Sequence, residues 1–98
     1  MINVVAKFVV VSGSEQTFED TISEFRGRYM ADPGCLRFDL QKHANAEGTY
    51  VLLESYESGD ALRRHGESED YKEFSARMKE LLAQKPQVDI VRPVGEQV

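Results

Sequence analysis

Tryptophan is missing from this 98-residue chain, cysteine occurs once, and histidine and proline are scarce at two and three. A single cysteine, Cys35, excludes an internal disulfide and any cysteine-rich metal centre. It also makes a reducing compartment, the cytoplasm, the natural one. The two histidines, His43 and His65, lie far apart in the chain and make a poor metal pair. No apolar run approaches the roughly 20 residues of a membrane-crossing helix, so no membrane partner is expected. The opening Met1-Ile2-Asn3-Val4 leads straight into strand-like sequence with no leader pattern. Positive charge is short as well: 12 Lys and Arg stand against 17 Asp and Glu, a net charge of −5. That is the wrong sign for a phosphate backbone, so nucleic acid is not expected as a partner. A small neutral or apolar ligand meets no such objection. The glycine-rich phosphate loop, the Gly-x-Ser-x-Gly elbow and the His-Glu-x-x-His helix are all absent, and no cofactor fingerprint occurs. Neither metal nor cofactor is expected.

What is present suits one folded domain. Apolar residues make up 41% and charged residues 30%, which argues against disorder. The domain is expected over residues 1–93, with a loose tail at 94–98. Residues 2–11 alternate as a strand, with Ile2, Val4, Ala6, Phe8 and Val10 on one face. Ser12 and Ser14 compete to start a helix over about 15–31, Glu15 completing a capping box with Ser12. Phe18, Ile22, Phe25 and Tyr29 form its apolar stripe, and Asp32-Pro33-Gly34 ends it. Residues 35–42 and 49–56 alternate as two strands joined by a short polar loop, a hairpin. A short helix opens at Ser58-Gly59-Asp60 and is expected to stop at Gly66. Ser68 caps a further helix with Tyr71, Phe74, Met78, Leu81 and Leu82 as its stripe, closed by Pro86. Val88, Ile90 and Arg92 alternate in a last strand.

Strand, helix, strand, strand, helix, strand is the ferredoxin-like βαββαβ order, an α+β fold with helices on one face of a four-stranded antiparallel sheet. The first and third strands carry apolar residues on both faces, and helices cover only one. Leaving the other face wet is costly at about 25 cal/mol per Å², so a homodimer through the sheet face is expected.

His65 is the residue best suited to acid–base chemistry. It shares a helical face with Ala61, and if that face looks toward the sheet, the imidazole enters the space beneath the helices. The alternative is a surface histidine whose charge complements a helix C-terminus. Tyr71 follows one helix start later, and its hydroxyl can converge on the same pocket. Phe8, Phe38, Tyr56, Phe74 and Met78 are either core or the lining of that pocket. Glu54 sits among apolar strand positions and needs a partner there, for which Arg37 or Lys7 across the sheet is expected, with Asp39 in the same network. Cys35 reads as a packed thiol and His43 as solvated.

Three stretches carry a further signal: Pro33-Gly34-Cys35-Leu36-Arg37-Phe38-Asp39-Leu40, then Tyr50 to Ser58 with Glu54 two before Tyr56, then Ala61-Leu62-Arg63-Arg64-His65 followed by Ser68-Glu69-Asp70-Tyr71. Together they resemble the antibiotic biosynthesis monooxygenase domain family over about residues 2–93. The resemblance implies a dimeric α+β barrel with a pocket between sheet and helices. It implies cofactor-independent oxidation of a small aromatic, quinol or polyketide-like substrate, with His65 as base or hydrogen-bond donor and Tyr71 as a pocket hydroxyl. The heme-degrading branch of the family uses an Asn, a Trp and a His at positions occupied here by Ala6, His65 and Ser75, so heme degradation is rejected. The absence of tryptophan also removes any pocket indole, Tyr56 standing at a common tryptophan position. The isomerases that process a phosphorylated autoinducer sugar resemble the chain through Leu36-Arg37-Phe38-Asp39 and Glu54-x-Tyr56, with Arg37, Arg63 and Arg64 as the candidate phosphate ligands. A dimeric ligand-binding module without catalysis is the remaining alternative.

Overall fold

The computed structural model describes residues 1–95; the last three positions of the expected tail lie outside the described residues. The elements run β1 (Ile2–Val9), α1 (Glu15–Tyr29), β2 (Cys35–Lys42), β3 (Thr49–Tyr56), α2 (Gly59–Glu67), α3 (Glu69–Leu81) and β4 (Gln87–Val91). The sheet order is β2-β3-β1-β4 and every pairing is antiparallel. This is the expected ferredoxin-like α+β fold, with three helices in place of two because Ser68 separates α2 from α3.

Residue alternation places Val4, Ala6, Phe8, Tyr50, Leu52, Glu54 and Tyr56 under the helices, and all are buried. Their neighbours Asn3, Val5, Lys7, Val51, Leu53 and Ser55 form the opposite face. Phe18, Ile22, Phe25 and Tyr29 of α1 fill the core from above, as their spacing predicts.

Local structure departs from expectation in three places. Ser14, not Ser12, precedes α1 and makes no side-chain cap; Glu15 instead accepts from the Gly13 N–H at 2.6 Å. Gly66 does not end α2, which continues to Glu67. Glycine only weakens a helix, whereas Ser68 redirects it: its backbone is extended (φ −73°, ψ 155°), its Oγ accepts from the Tyr71 N–H at 3.1 Å, and it donates to the His65 carbonyl at 2.7 Å. β1 ends at Val9, but the chain stays tied beyond it, the Val11 N–H donating to Leu81 and the Ala83 N–H to Val9, both at 2.8 Å. These bonds anchor the end of α3 to the sheet.

The α1 helix leans over β2 and the α2 helix over β3, while β4 is exposed along its whole length. Val88 and Ile90 stand opposite Ala6 and Val4, hence on the helix side of the sheet, yet remain 53% and 62% exposed. The uncovered strip beside β1 opens the space described next.

Candidate active site

A cavity of about 560 Å³ lies between sheet and helices. Its floor is Val4, Ala6 and Phe8 of β1 with Leu52 and Glu54 of β3. Its roof comes from Leu62 and His65 of α2 and from Tyr71, Phe74, Ser75 and Met78 of α3. Val88 and Ile90 flank it, and the exposed Lys79 and Lys85 belong to its rim. The volume is that of a small-ligand site, and the walls are mostly hydrocarbon.

Two ionisable side chains are buried in its wall. His65 and Glu54 keep 11% and 9% of their side-chain surface, with Nε2 of the histidine 3.8 Å from Oε1 of the glutamate. The Tyr56 hydroxyl donates to the same Oε1 at 2.5 Å. The imidazole is walled by tyrosine rings, with centroid distances of 4.4 Å to Tyr29, 5.0 Å to Tyr56 and 5.3 Å to Tyr71. Burial pushes the Glu54 carboxyl up to about 7, the Tyr56 hydrogen bond pulling back part of the way. Burial pushes His65 down to about 4, with Asp32 partly opposing. Both shifts have one origin, the cost of charge in a low-dielectric interior. At neutral pH the imidazole is uncharged and the carboxyl is near its midpoint.

His65 therefore faces the cavity, which is open along β4, and Tyr71, Phe8, Phe38, Phe74 and Met78 are among its lining residues. Tyr56 is not among them. It is 1% exposed, lies behind Glu54, and borders a second cavity of about 100 Å³ with Cys35, Asp32 and Arg64 on the far side of His65. The expected pairing of Glu54 with Arg37 or Lys7 is also overturned. Glu54 stands opposite Val4 and Phe38 on the helix side, while Lys7, opposite Val51, is on the other face and Arg37 bonds Asp39 at 2.9 Å. Arg63 is paired with Asp60 and Glu67, and Arg64 with Asp32, so none of the three arginines considered for phosphate enters the chamber. Cys35 is buried, and desolvation raises its thiol. His43 is exposed and accepts from the Asn45 N–H at 3.0 Å, ordering its loop. Among the described residues no three His, Cys, Asp or Glu side chains cluster to hold a metal, and no helix is long and apolar enough to cross a membrane.

Sequence reading missed Tyr29, Leu62 and Ser75 as chamber residues. Tyr29 belongs to the apolar stripe of α1, whereas Leu62 and Ser75 belong to no stripe; the exposed β4 leaves all three as wall.

A four-stranded ferredoxin-like sheet roofed by helices, with an apolar cavity between them and one buried acid–imidazole pair in its wall, defines a small α+β protein. The chain belongs to the antibiotic biosynthesis monooxygenase family, whose pattern its residues 1–77 match. It is 34% identical over 62 residues to the Bacillus subtilis (strain 168) protein named "Putative monooxygenase YcnE", a match covering 63% of each chain. The crystal structure of a "putative antibiotic biosynthesis monooxygenase" from Caulobacter crescentus CB15 superimposes with a TM-score of 0.90 at 33% identity, over 96% of this chain and 90% of that one. Rv0793 from Mycobacterium tuberculosis gives 0.89 at 28% identity, over 99% and 98% of the two chains.

Proposed function

We propose that this protein is a monooxygenase that uses dioxygen without metal or flavin on a flat, mostly apolar molecule bearing one acidic C–H or O–H, such as a quinol or polyketide-like aromatic. The observation that carries this is the chamber: hydrocarbon walls with a single buried acid–base pair facing the space. Such a site removes a proton, holds the resulting anion away from water and leaves it to react with oxygen. For a ring methylene the balance closes without a reductant: CH₂ and O₂ become C=O and H₂O, one oxygen atom entering the product and the two hydrogens leaving as water. His65 and Glu54 contact the reacting polar group, Tyr71 offers a hydroxyl beside them, and Phe8, Phe38, Phe74 and Met78 grip the ring. The domain over 1–93 supplies every one of these groups.

Oxygen uptake with the anthrone dithranol tests the reading. Wild type is expected to consume oxygen, and His65→Ala to lose at least about tenfold in turnover with its oligomeric state unchanged. Undiminished turnover in that variant removes His65 from the site. The isomerase alternative draws on one observation, the exposed Lys79 and Lys85 at the rim, which suit a phosphate; a ligand complex with phosphate on those lysines would favour it. A purely structural interior is disfavoured because Phe8, Phe38, Phe74 and Met78 leave the space between them open.

The functional unit is a homodimer. The sheet face away from the helices carries Val5, Val9, Val51 and Leu53, all only partly buried in the single chain, together with the 44% exposed Val91. A second copy placed there shields this apolar surface.

A further inference from the structure

We propose that Glu54 is the group that takes the substrate's proton, and that His65 stays uncharged and donates a hydrogen bond to the oxygen anion left behind. The assignment rests on the chamber being the substrate site and divides the labour within it.

The geometry gives the two side chains different surroundings. Glu54 Oε1 is held by the Tyr56 hydroxyl at 2.5 Å. A phenol O–H bonds a carboxylate oxygen more strongly than a neutral carboxyl, so this contact fixes the carboxyl's orientation and favours its ionised form. Among the described residues Oε2 has no hydrogen-bond partner, and Glu54 itself lines the cavity. Among the described residues no carboxylate lies at hydrogen-bond distance from His65, Asp32 acting on it only from farther off; it is caged by the rings of Tyr29, Tyr56 and Tyr71. Such a cage desolvates an imidazolium without a compensating hydrogen bond. A neutral imidazole still carries one N–H. At 3.8 Å the two groups are too far apart to bond each other directly. One substrate oxygen can nevertheless lie at roughly 2.8 Å from both, giving its proton to the carboxylate and receiving the imidazole N–H. For an anthrone the proton comes from the enol tautomer of the ring ketone: its O–H bond breaks, an O–H bond forms on Glu54, and the electron pair stays on the substrate oxygen, delocalised to the ring carbon that meets dioxygen. An imidazole used in this neutral, donating form is worth most where water is excluded.

The titratable groups that face the pair come from every packed element. They are Tyr29 from α1, Cys35 from β2, Tyr56 from β3 and Tyr71 from α3, with the Asp32–Arg64 and Arg28–Asp70 ion pairs bordering the small cavity behind His65 and with Lys79 and Lys85 at the rim of the chamber. Among the described residues His65 is the sole cationic-type side chain within 4.0 Å of the Glu54 carboxyl. Among the described residues no lysine or arginine lies within that distance, Lys79 and Lys85 standing at the rim instead.

The test is the pH dependence of dithranol-dependent oxygen uptake in Glu54→Gln, Glu54→Asp, His65→Gln and Tyr56→Phe. Wild-type uptake should rise with pH through a half-point near 7. Glu54→Gln, close in shape to the native side chain, should lose about a hundredfold in turnover and lose that rise. Glu54→Asp should keep the rise at a reduced rate. His65→Gln retains an N–H donor and should keep it as well. Tyr56 is a positioning residue, and Tyr56→Phe should move the half-point to higher pH, because the hydrogen bond that favours the carboxylate is gone. The proposal is overturned if Glu54→Gln keeps the wild-type profile, or if the rise vanishes only in His65→Gln. Should wild type consume no oxygen, the monooxygenase reading falls and carbon-13 NMR titration of labelled glutamate and histidine decides the proton assignment on its own. Glu54 titrating near 7 with His65 uncharged down to about 4 upholds it. Glu54 titrating in the ordinary carboxylate range with His65 near 6.5 refutes it.

Discussion

At residue scale, burying Glu54 beside His65 sets two opposite pH dependences against each other. Glu54 binds its proton more tightly in the folded chain, so its contribution to stability is full below 4.5 and is lost as pH rises toward 7. His65 binds its proton less tightly when folded, so its contribution is lost as pH falls from 6.5 toward 4. Over the overlap the slopes nearly cancel, and each single variant should unmask the other. Relative to wild type, the unfolding free energy of Glu54→Gln should rise with pH between 4.5 and 7, by roughly 1–3 kcal/mol. That of His65→Phe should fall between 4 and 6.5 by a similar amount. Urea denaturation at a series of pH values measures both. Parallel curves for the two variants would mean the groups are not buried together. The inward placement of His65 is legible in the sequence from helical spacing. The placement of Glu54 beside it is not, because the search for a cation across the sheet needs the strand register, and the register places Lys7 and Arg37 on the other face.

At the scale of elements, the chamber depends on where α2 and α3 start. Gly34 in the turn before β2 lies so close to α2 that an added Cβ would stand 2.8 Å from both the Ala61 Cβ and an Arg64 guanidinium nitrogen. Its backbone conformation is ordinary, so the constraint is contact with the helix. Gly34→Ala should cost about 1–3 kcal/mol by pushing α2 off the turn, read as a lowered midpoint in thermal denaturation. Ser68 both caps α3 and holds the end of α2 through the His65 carbonyl. Ser68→Ala should cost about 1 kcal/mol and lower Tm by roughly 4–8 °C; an unchanged Tm would show the corner is held by packing alone. The start signals Ser58 and Ser68 are legible because capping is local chemistry. The stop expected at Gly66 fails because a glycine weakens a helix without ending it.

For the whole molecule, the uncovered face of the sheet is the determining feature. Leu53 and Val5 are cross-strand neighbours at its centre. Leu53→Lys should convert a dimer at micromolar concentration into a monomer, measured by sedimentation, while the circular dichroism of the protomer is retained. A wild-type chain that sediments as a monomer would contradict the dimer and leave the apolar face unexplained.

Strand alternation, helical spacing and local caps are properties of neighbouring residues, and from them the sequence by itself determined the element order, the two-sided sheet and the ferredoxin-like α+β fold. The chamber is set otherwise. It exists because α1 and α2 lean toward β2 and β3 and leave β4 uncovered, a sum of packing choices among elements distant in the chain. The same summation brought Glu54 and His65 together, sent Tyr56 behind the wall, and kept the arginines outside. Only tertiary structure decided those, because each depends on which faces meet and no short stretch of sequence records that.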